Sequence, residues 1–125
     1  DIKLMINIIS FGYKYGLPLE SDIVIDTRFL PNPFYENTLK MYTGNEKKVR
    51  DFVLARKSAR IFVSKIIDFL SFLIPRFIKE GKSYLTIALG CTGGRHRSVV
   101  IANALKKHFD KKKLDVRIVH RDILR

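Results

Sequence analysis

The stretch Tyr84–Ser98 rules out most architectures for this chain. Tyr84 to Leu89 is apolar almost throughout. It is too uniform for a strand with one wet face and too short for a helix, so it reads as a central parallel strand. Directly behind it stands Gly90-Cys91-Thr92-Gly93-Gly94-Arg95-His96-Arg97-Ser98, and a helix is predicted from about Ser98 to Phe109. A buried parallel strand needs crossover connections and helices to cover it. The predicted fold is therefore α/β, with a small, mostly parallel sheet of about four strands flanked by helices.

The remaining elements fit that frame. Leu4 to Ile9, Ile23 to Thr27 and Val116 to Val119 read as further strands. Pro31 and Pro33 forbid regular structure, so residues 29–45 are predicted to form a long ordered loop. Asn45 is expected to cap a helix ending near Lys57, and a second helix is predicted over Ser58–Lys79, with Pro75 kinking or ending it and Gly81 as a stop. In that second helix Arg60, Ser64, Asp68, Ser71 and Pro75 form a narrow stripe, which predicts burial of the rest against the sheet and another helix, or against a second subunit. No repeat or linker divides residues 1–125, which read as one domain. Ligands of such sheets bind beyond the carboxyl ends of the strands. Segments 10–16, 26–34 and 90–98 all follow strands and are predicted to converge at one rim.

The glycine loop has the components of an oxyanion site. Glycines let several backbone N–H groups approach one point, and the following helix adds its positive end. Arg95, His96 and Arg97 supply charge, arginine as a planar fork, and Thr92 and Ser98 supply hydroxyls. A Walker A loop would need Lys-Ser or Lys-Thr after the glycines, and none is present. Cys91, Arg97 and Ser98 instead fit Cys-x5-Arg-Ser, the pattern of cysteine-dependent phosphatases. In those enzymes a thiolate attacks phosphorus and a carboxylic acid assists the leaving group. Asp26, at the end of a neighbouring strand, is the candidate acid. Position 90 is Gly where many such enzymes carry His. The other reading of Cys91 is a small buried residue at a strand end.

Charge narrows the partner class. Lys and Arg number 24 against 12 Asp and Glu, a formal net charge of +12. Such a field favours nucleic acid, acidic membrane or phosphorylated metabolites, or else serves solubility alone. Lys106, Lys107, His108, Lys111, Lys112 and Lys113 cluster at a helix end, either as RNA phosphate contacts or as lysines favoured by the helix dipole. Phe11, Tyr13 and Tyr15 could stack on bases, but their alternation suits a half-buried strand edge. The single cysteine permits no internal disulfide, which points to a reducing cytoplasm. Three histidines and one cysteine, widely spaced, make no metal site, and no cofactor is implied. The most apolar stretch, Ile61–Ile74, is too short and too charged to span a membrane. Asp at position 1 suggests a removed native start or an excised piece, and no signal-peptide pattern is present.

Four motifs in register carry a resemblance. Ser10-Phe11-Gly12-Tyr13-Lys14-Tyr15-Gly16, Asp26-Thr27-Arg28-Phe29-Leu30-Pro31-Asn32-Pro33, Gly90 to Val99, and His120-Arg121 resemble the C-terminal domain of the RapZ-like proteins, also described as nucleotide-binding RNase adapters. The resemblance implies a regulatory binding domain that senses an amino-sugar phosphate, glucosamine-6-phosphate, binds RNA and assembles into a homo-oligomer. Carried onto this chain, the pocket would comprise Thr92, Gly93, Gly94, His96, Arg97 and Ser98, with Arg28 and His120 contributing. Lys14, Arg95 and Arg121 would face RNA. Two departures stand out. The family's N-terminal P-loop domain is absent from these residues, so nucleotide hydrolysis does not carry over. Arg95 also stands where the family pattern has Lys, which keeps charge but changes geometry.

Overall fold

The computed structural model describes residues 3–125; Asp1 lies outside them. Four strands, β1 (Met5–Gly12), β2 (Ile23–Asp26), β3 (Tyr84–Cys91) and β4 (Asp115–His120), form one sheet in the order β2-β3-β1-β4. Every ladder is parallel. Three α-helices, α1 (Lys47–Leu54), α2 (Lys57–Glu80) and α3 (Arg97–Asp110), connect and cover it.

Strands β1 and β3 run further than their apolar stretches suggest. Phe11 pairs with Gly90 and Gly12 with Cys91, so ladder partners extend both strands through residues that would break an isolated one. One sheet face carries Ile6, Ile8, Leu85, Ile87, Leu89 and Val116. These pack with Val100, Ile101, Leu105 and Phe109 of α3 in the main core. Each such aliphatic side chain contributes about 1.5–3 kcal/mol on burial. Val49 and Val53 of α1 and Ile66, Leu70 and Ile74 of α2 join the same core, and both helices also contact α3.

Three local expectations need correcting. α1 begins at Lys47 after Glu46, and Asn45 does not cap it. The Glu46 carboxylate instead accepts the Thr43 N–H and hydroxyl, both at 2.7 Å, while Asn45 Oδ1 accepts from Asn103 Nδ2. Pro75 does not end α2, which continues to Glu80. Pro75 and Ser71 are both exposed, so the Ser71 carbonyl deprived of its partner is solvated. Gly81, at φ 92°, closes the helix as expected. Finally, within one copy of the chain α2 is buried on one face only: Ala59, Ile66, Leu70 and Ile74 face the core, while Ile61, Phe69, Phe72 and Ile78 are exposed, the surface for which the sequence offers a second subunit.

Because all four strands point the same way, their carboxyl ends share one edge. Residues 29–45 fold over it as an ordered loop with one turn of 3-10 helix, Pro33–Tyr35, whose first turn is fixed by Asn32 Oδ1 accepting the Phe34 N–H.

Candidate functional site

At that edge the three predicted segments do converge. Thr27 donates through both N–H and hydroxyl to the Gly90 carbonyl, each at 2.8 Å. Lys14 N–H donates to Thr92 O at 3.2 Å. Gly12 and Gly94 lie back to back. A Cβ on Gly94 would stand 2.6 Å from Gly12 N, and one on Gly12 would stand 2.5 Å from the Gly93 carbonyl carbon. Gly94 has φ 79°, so both space and backbone require glycine there. Gly90 is explained likewise, since a side chain would collide with the Phe11 and Tyr13 rings. The histidine common at this position in cysteine phosphatases has no room.

The loop's backbone donors stay open. Among the described residues, the N–H groups of Thr92, Gly93, Arg95 and His96 donate to no protein acceptor. α3 then begins at Arg97 with no side-chain cap. Arg97 is 5% exposed. Its Nη1 donates to Arg28 O (2.6 Å) and Leu30 O (3.3 Å), and Nη2 makes a long 3.4 Å contact with Thr92 Oγ1. Its buried Nε has no partner among the described residues, nor does that of Arg95. A buried guanidinium N–H left unpaired in a polar cavity costs free energy that an oxyanion would recover.

A cavity of about 440 Å³ opens over the loop. Lys14, Lys40, Arg95, Arg97 and Arg125 line it, with no carboxylate among its lining residues. Thr92, Gly93, His96 and Cys91 of the loop also line it, and Tyr15, Phe34, Tyr35 and Met41 add an aromatic and thioether wall. A strap over residues 41–46 is held to the loop through peptide groups. Gly44 N–H donates to Arg95 O (2.8 Å), Arg95 Nη2 to Met41 O (3.3 Å), and His96 Nε2 to Tyr42 O (2.6 Å). Burial pushes the His96 pKa down, and the charges of Arg95 and Arg97 push the same way, against its bond to Tyr42. The ring is therefore neutral at pH 7 and carries its proton on Nε2.

Other predicted residues lie elsewhere. His120 does not line the cavity. Its Nδ1 accepts the Ser10 hydroxyl (2.6 Å) and its Nε2 donates to Asn103 Oδ1 (3.0 Å), with burial lowering its pKa. It ties β1, β4 and α3 together. Arg28 offers Arg97 only its carbonyl, while its guanidinium grips Asp26 at 2.7 Å and covers the Tyr13 ring. Asp26, the candidate acid, is thus engaged, and its hydrogen bonds from Arg28 hold it below the usual aspartate pKa against a smaller effect of burial. Arg121 donates to Gly16 O and Asp122. Lys111, Lys112 and Lys113 stand at the far end of α3, about 20 Å away along a 14-residue helix. Phe11 is buried and makes an edge contact with Tyr13.

Sequence reasoning passed over Asp122, Arg125, Lys40 and, in the aromatic wall, Phe34, Tyr35 and Met41. Asp122 is fully buried and accepts from Gly12 N–H (2.8 Å), Arg121 Nη2 (2.9 Å) and Arg125 Nε (2.9 Å). A carboxylate following His120-Arg121 was the available signal.

Residues 4–124 match the family described as the RapZ C-terminal domain. The chain belongs to that family. A nucleotide-binding protein of Clostridium beijerinckii is 51% identical over 121 residues, 97% of this chain and 41% of the relative. Nucleotide-binding proteins of Caldanaerobacter subterraneus and Thermoanaerobacter pseudethanolicus are 53% and 54% identical over 120 residues, 96% of this chain and 42% of each relative. This RapZ C-terminal domain thus spans less than half the length of these relatives. Among its described residues no helix is long and apolar enough to cross a membrane, and no three His, Cys, Asp or Glu side chains gather as a metal site.

Proposed function

We propose that this chain is a regulatory binding domain that senses a phosphorylated small molecule, of the amino-sugar phosphate class, and binds RNA. The observation that carries the first half is the cavity with five Lys and Arg side chains, no carboxylate, and a buried Arg97 whose Nε is unsatisfied. The phosphate takes the open loop N–H groups and the Arg97 fork, with Thr92, Gly93, Gly94, His96 and Ser98 shaping the cradle. The relatives are named nucleotide-binding proteins, and a nucleotide presents the same phosphate chemistry. RNA binding rests on the +12 charge, on Lys14, Arg95 and Arg121 about the rim, and on Lys111–Lys113 at the opposite edge. A homo-oligomer rests on the exposed Phe69 and Phe72 of α2. A reducing cytoplasmic setting follows from the lone free cysteine.

Arg97→Ala is expected to weaken binding of glucosamine-6-phosphate and of inorganic phosphate by about 10- to 100-fold, the worth of charge-assisted hydrogen bonds. Calorimetry on folded protein measures it. Arg97→Lys should recover little, because the planar fork is gone. Unchanged affinity in Arg97→Ala would sink the anion reading.

For RNA, log affinity should fall steeply with log salt. Replacing Lys111, Lys112 and Lys113 together by Ala should flatten that slope by roughly 2 to 3, at about 0.7–0.9 for each phosphate no longer neutralised, while phosphate binding in the distant cavity stays intact. An RNA affinity indifferent to salt speaks against this half.

A further inference from the structure

Cys91 is not placed as a core-filling cysteine is. Such a residue packs among apolar groups and uses no polar partner. Cys91 sits at the end of β3, 2% exposed, yet lines the cationic cavity. Its Sγ accepts the Gly94 N–H at 3.3 Å and lies 3.1 Å from Ser98 Oγ. The Gly94 N–H donates to sulfur, and the Ser98 hydroxyl is placed to do so. Arg97, six residues on, lines the same cavity, nine-tenths buried, with Nη1 pinned by two carbonyls and Nε unpaired. The sulfur, the residues that carry the open backbone donors and a half-free guanidinium therefore line one cavity, the set of groups that phosphoryl transfer to sulfur uses.

We infer that Cys91 accepts a phosphoryl group from phosphate esters or anhydrides with weakly basic leaving groups, such as aryl and acyl phosphates, and passes it to water. The inference rests on the anion site proposed above. In the first step the sulfur lone pair attacks phosphorus. The S–P bond forms, the P–O bond to the leaving group breaks, and that oxygen departs with the bonding pair and takes up the proton released by the thiol. In the second step water attacks phosphorus, the S–P bond breaks, and inorganic phosphate and the thiol are regenerated. No oxidant or reductant enters.

The leaving-group restriction comes from the acid that is missing. No Asp or Glu lines the cavity, and Asp26 is held by Arg28 through both carboxylate oxygens. An alkyl ester such as a sugar phosphate would depart as a strongly basic alkoxide without help, so it binds and stays intact. The same cavity would then hold sugar phosphates as ligands and cleave only activated phosphates.

The test uses the chain with 4-nitrophenyl phosphate and acetyl phosphate, with inorganic phosphate binding measured in parallel by calorimetry. Nitrophenolate release is expected, together with one phosphoryl mass increment mapped by peptide mass spectrometry to Cys91. Release should fall to background in Cys91→Ser. Glucosamine-6-phosphate should release no phosphate. Phosphate binding by the wild-type chain with neither release nor an adduct overturns the inference and leaves the anion site standing. Release that persists in Cys91→Ser also overturns it. If wild-type protein fails to bind phosphate, the anion site falls and this chemistry with it. The adduct is sought on wild-type protein, so a poorly folding variant does not decide the result.

Discussion

Asp122→Ala is expected to lower the unfolding free energy by about 3 kcal/mol, near the lower end of the 3–5 kcal/mol typical for removing one partner of a buried ion pair. The carboxylate has no exposed surface and holds three donors: Gly12 N–H at the end of β1, Arg121 and Arg125. Without it the Gly12 N–H is left buried and unpaired. The arginines are partly solvated, at 29% and 54% exposure, so they recover some hydration and the cost stays below the maximum. Asp122→Asn keeps the shape but turns an amide toward a guanidinium, and should lose nearly as much. The pH dependence has a definite sign. Burial alone would raise the Asp122 pKa, but hydrogen bonds from Arg121 and Gly12 and the charges of Arg121 and Arg125 together hold it below the usual aspartate value. A carboxyl depressed in the folded state contributes stability above its unfolded pKa and loses it as pH falls through the folded one. The gap between wild type and Asp122→Asn should therefore be full at pH 7 and narrow below about pH 4. Chemical denaturation across that range measures it, and a gap constant with pH would mean that folding leaves this carboxyl's pKa unshifted. Phosphate affinity should fall as well, because Arg125 reaches the cavity from this anchor.

Gly12→Ala and Gly93→Ala should part company by about 1–3 kcal/mol, although both glycines belong to the same site. A methyl on Gly12 would lie 2.5 Å and 2.7 Å from the Gly93 carbonyl carbon and oxygen and 2.9 Å from Gly94 N. All three are backbone atoms, so no rotamer change relieves the clash, and overpacking of this kind costs about 1–3 kcal/mol. Opening of the loop would dismantle the donor array too, so binding and melting temperature fall together. A methyl on Gly93 meets nothing within 4 Å, and Gly93 has no positive φ among the glycines that do. That variant should stay within about 0.5 kcal/mol of wild type, as surface changes usually do. Equal tolerance at both positions would show that the β1 end and the loop do not pack as closely as these distances require.

The sequence exposed the site's central loop far better than its walls. The strand–loop–helix unit of residues 84–110 announces itself through an apolar run, three glycines and two arginines, all local signals. Parallel strands put segments 10–16 and 26–34 beside it by topology alone. The walls are set by other means. Lys40 and Met41 reach the cavity because peptide groups of 42 and 44 dock on Arg95 and His96, and backbone docking leaves no mark in residue type. His120 misled in the opposite way. It follows a strand and precedes an arginine like a ligand, yet the inward alternation of β4 turns its ring toward Ser10 and Asn103. Pro75 and Asn45 misled because propensity was stronger than context: an exposed carbonyl tolerates the proline, and a tertiary partner claims the asparagine.

The strap over 41–46 has a consequence for anyone wishing to reshape this protein. Its seat is made by peptide groups and by Gly44, where a Cβ would meet the His96 carbonyl at 2.5 Å, while Met41 is 78% exposed and Tyr42 40%. The peptide groups that fix the strap and the Met41 side chain that lines the cavity are therefore separate atoms. Diversifying position 41 would vary the cavity mouth over a constant floor, a natural place to reshape the cavity without destabilising the fold.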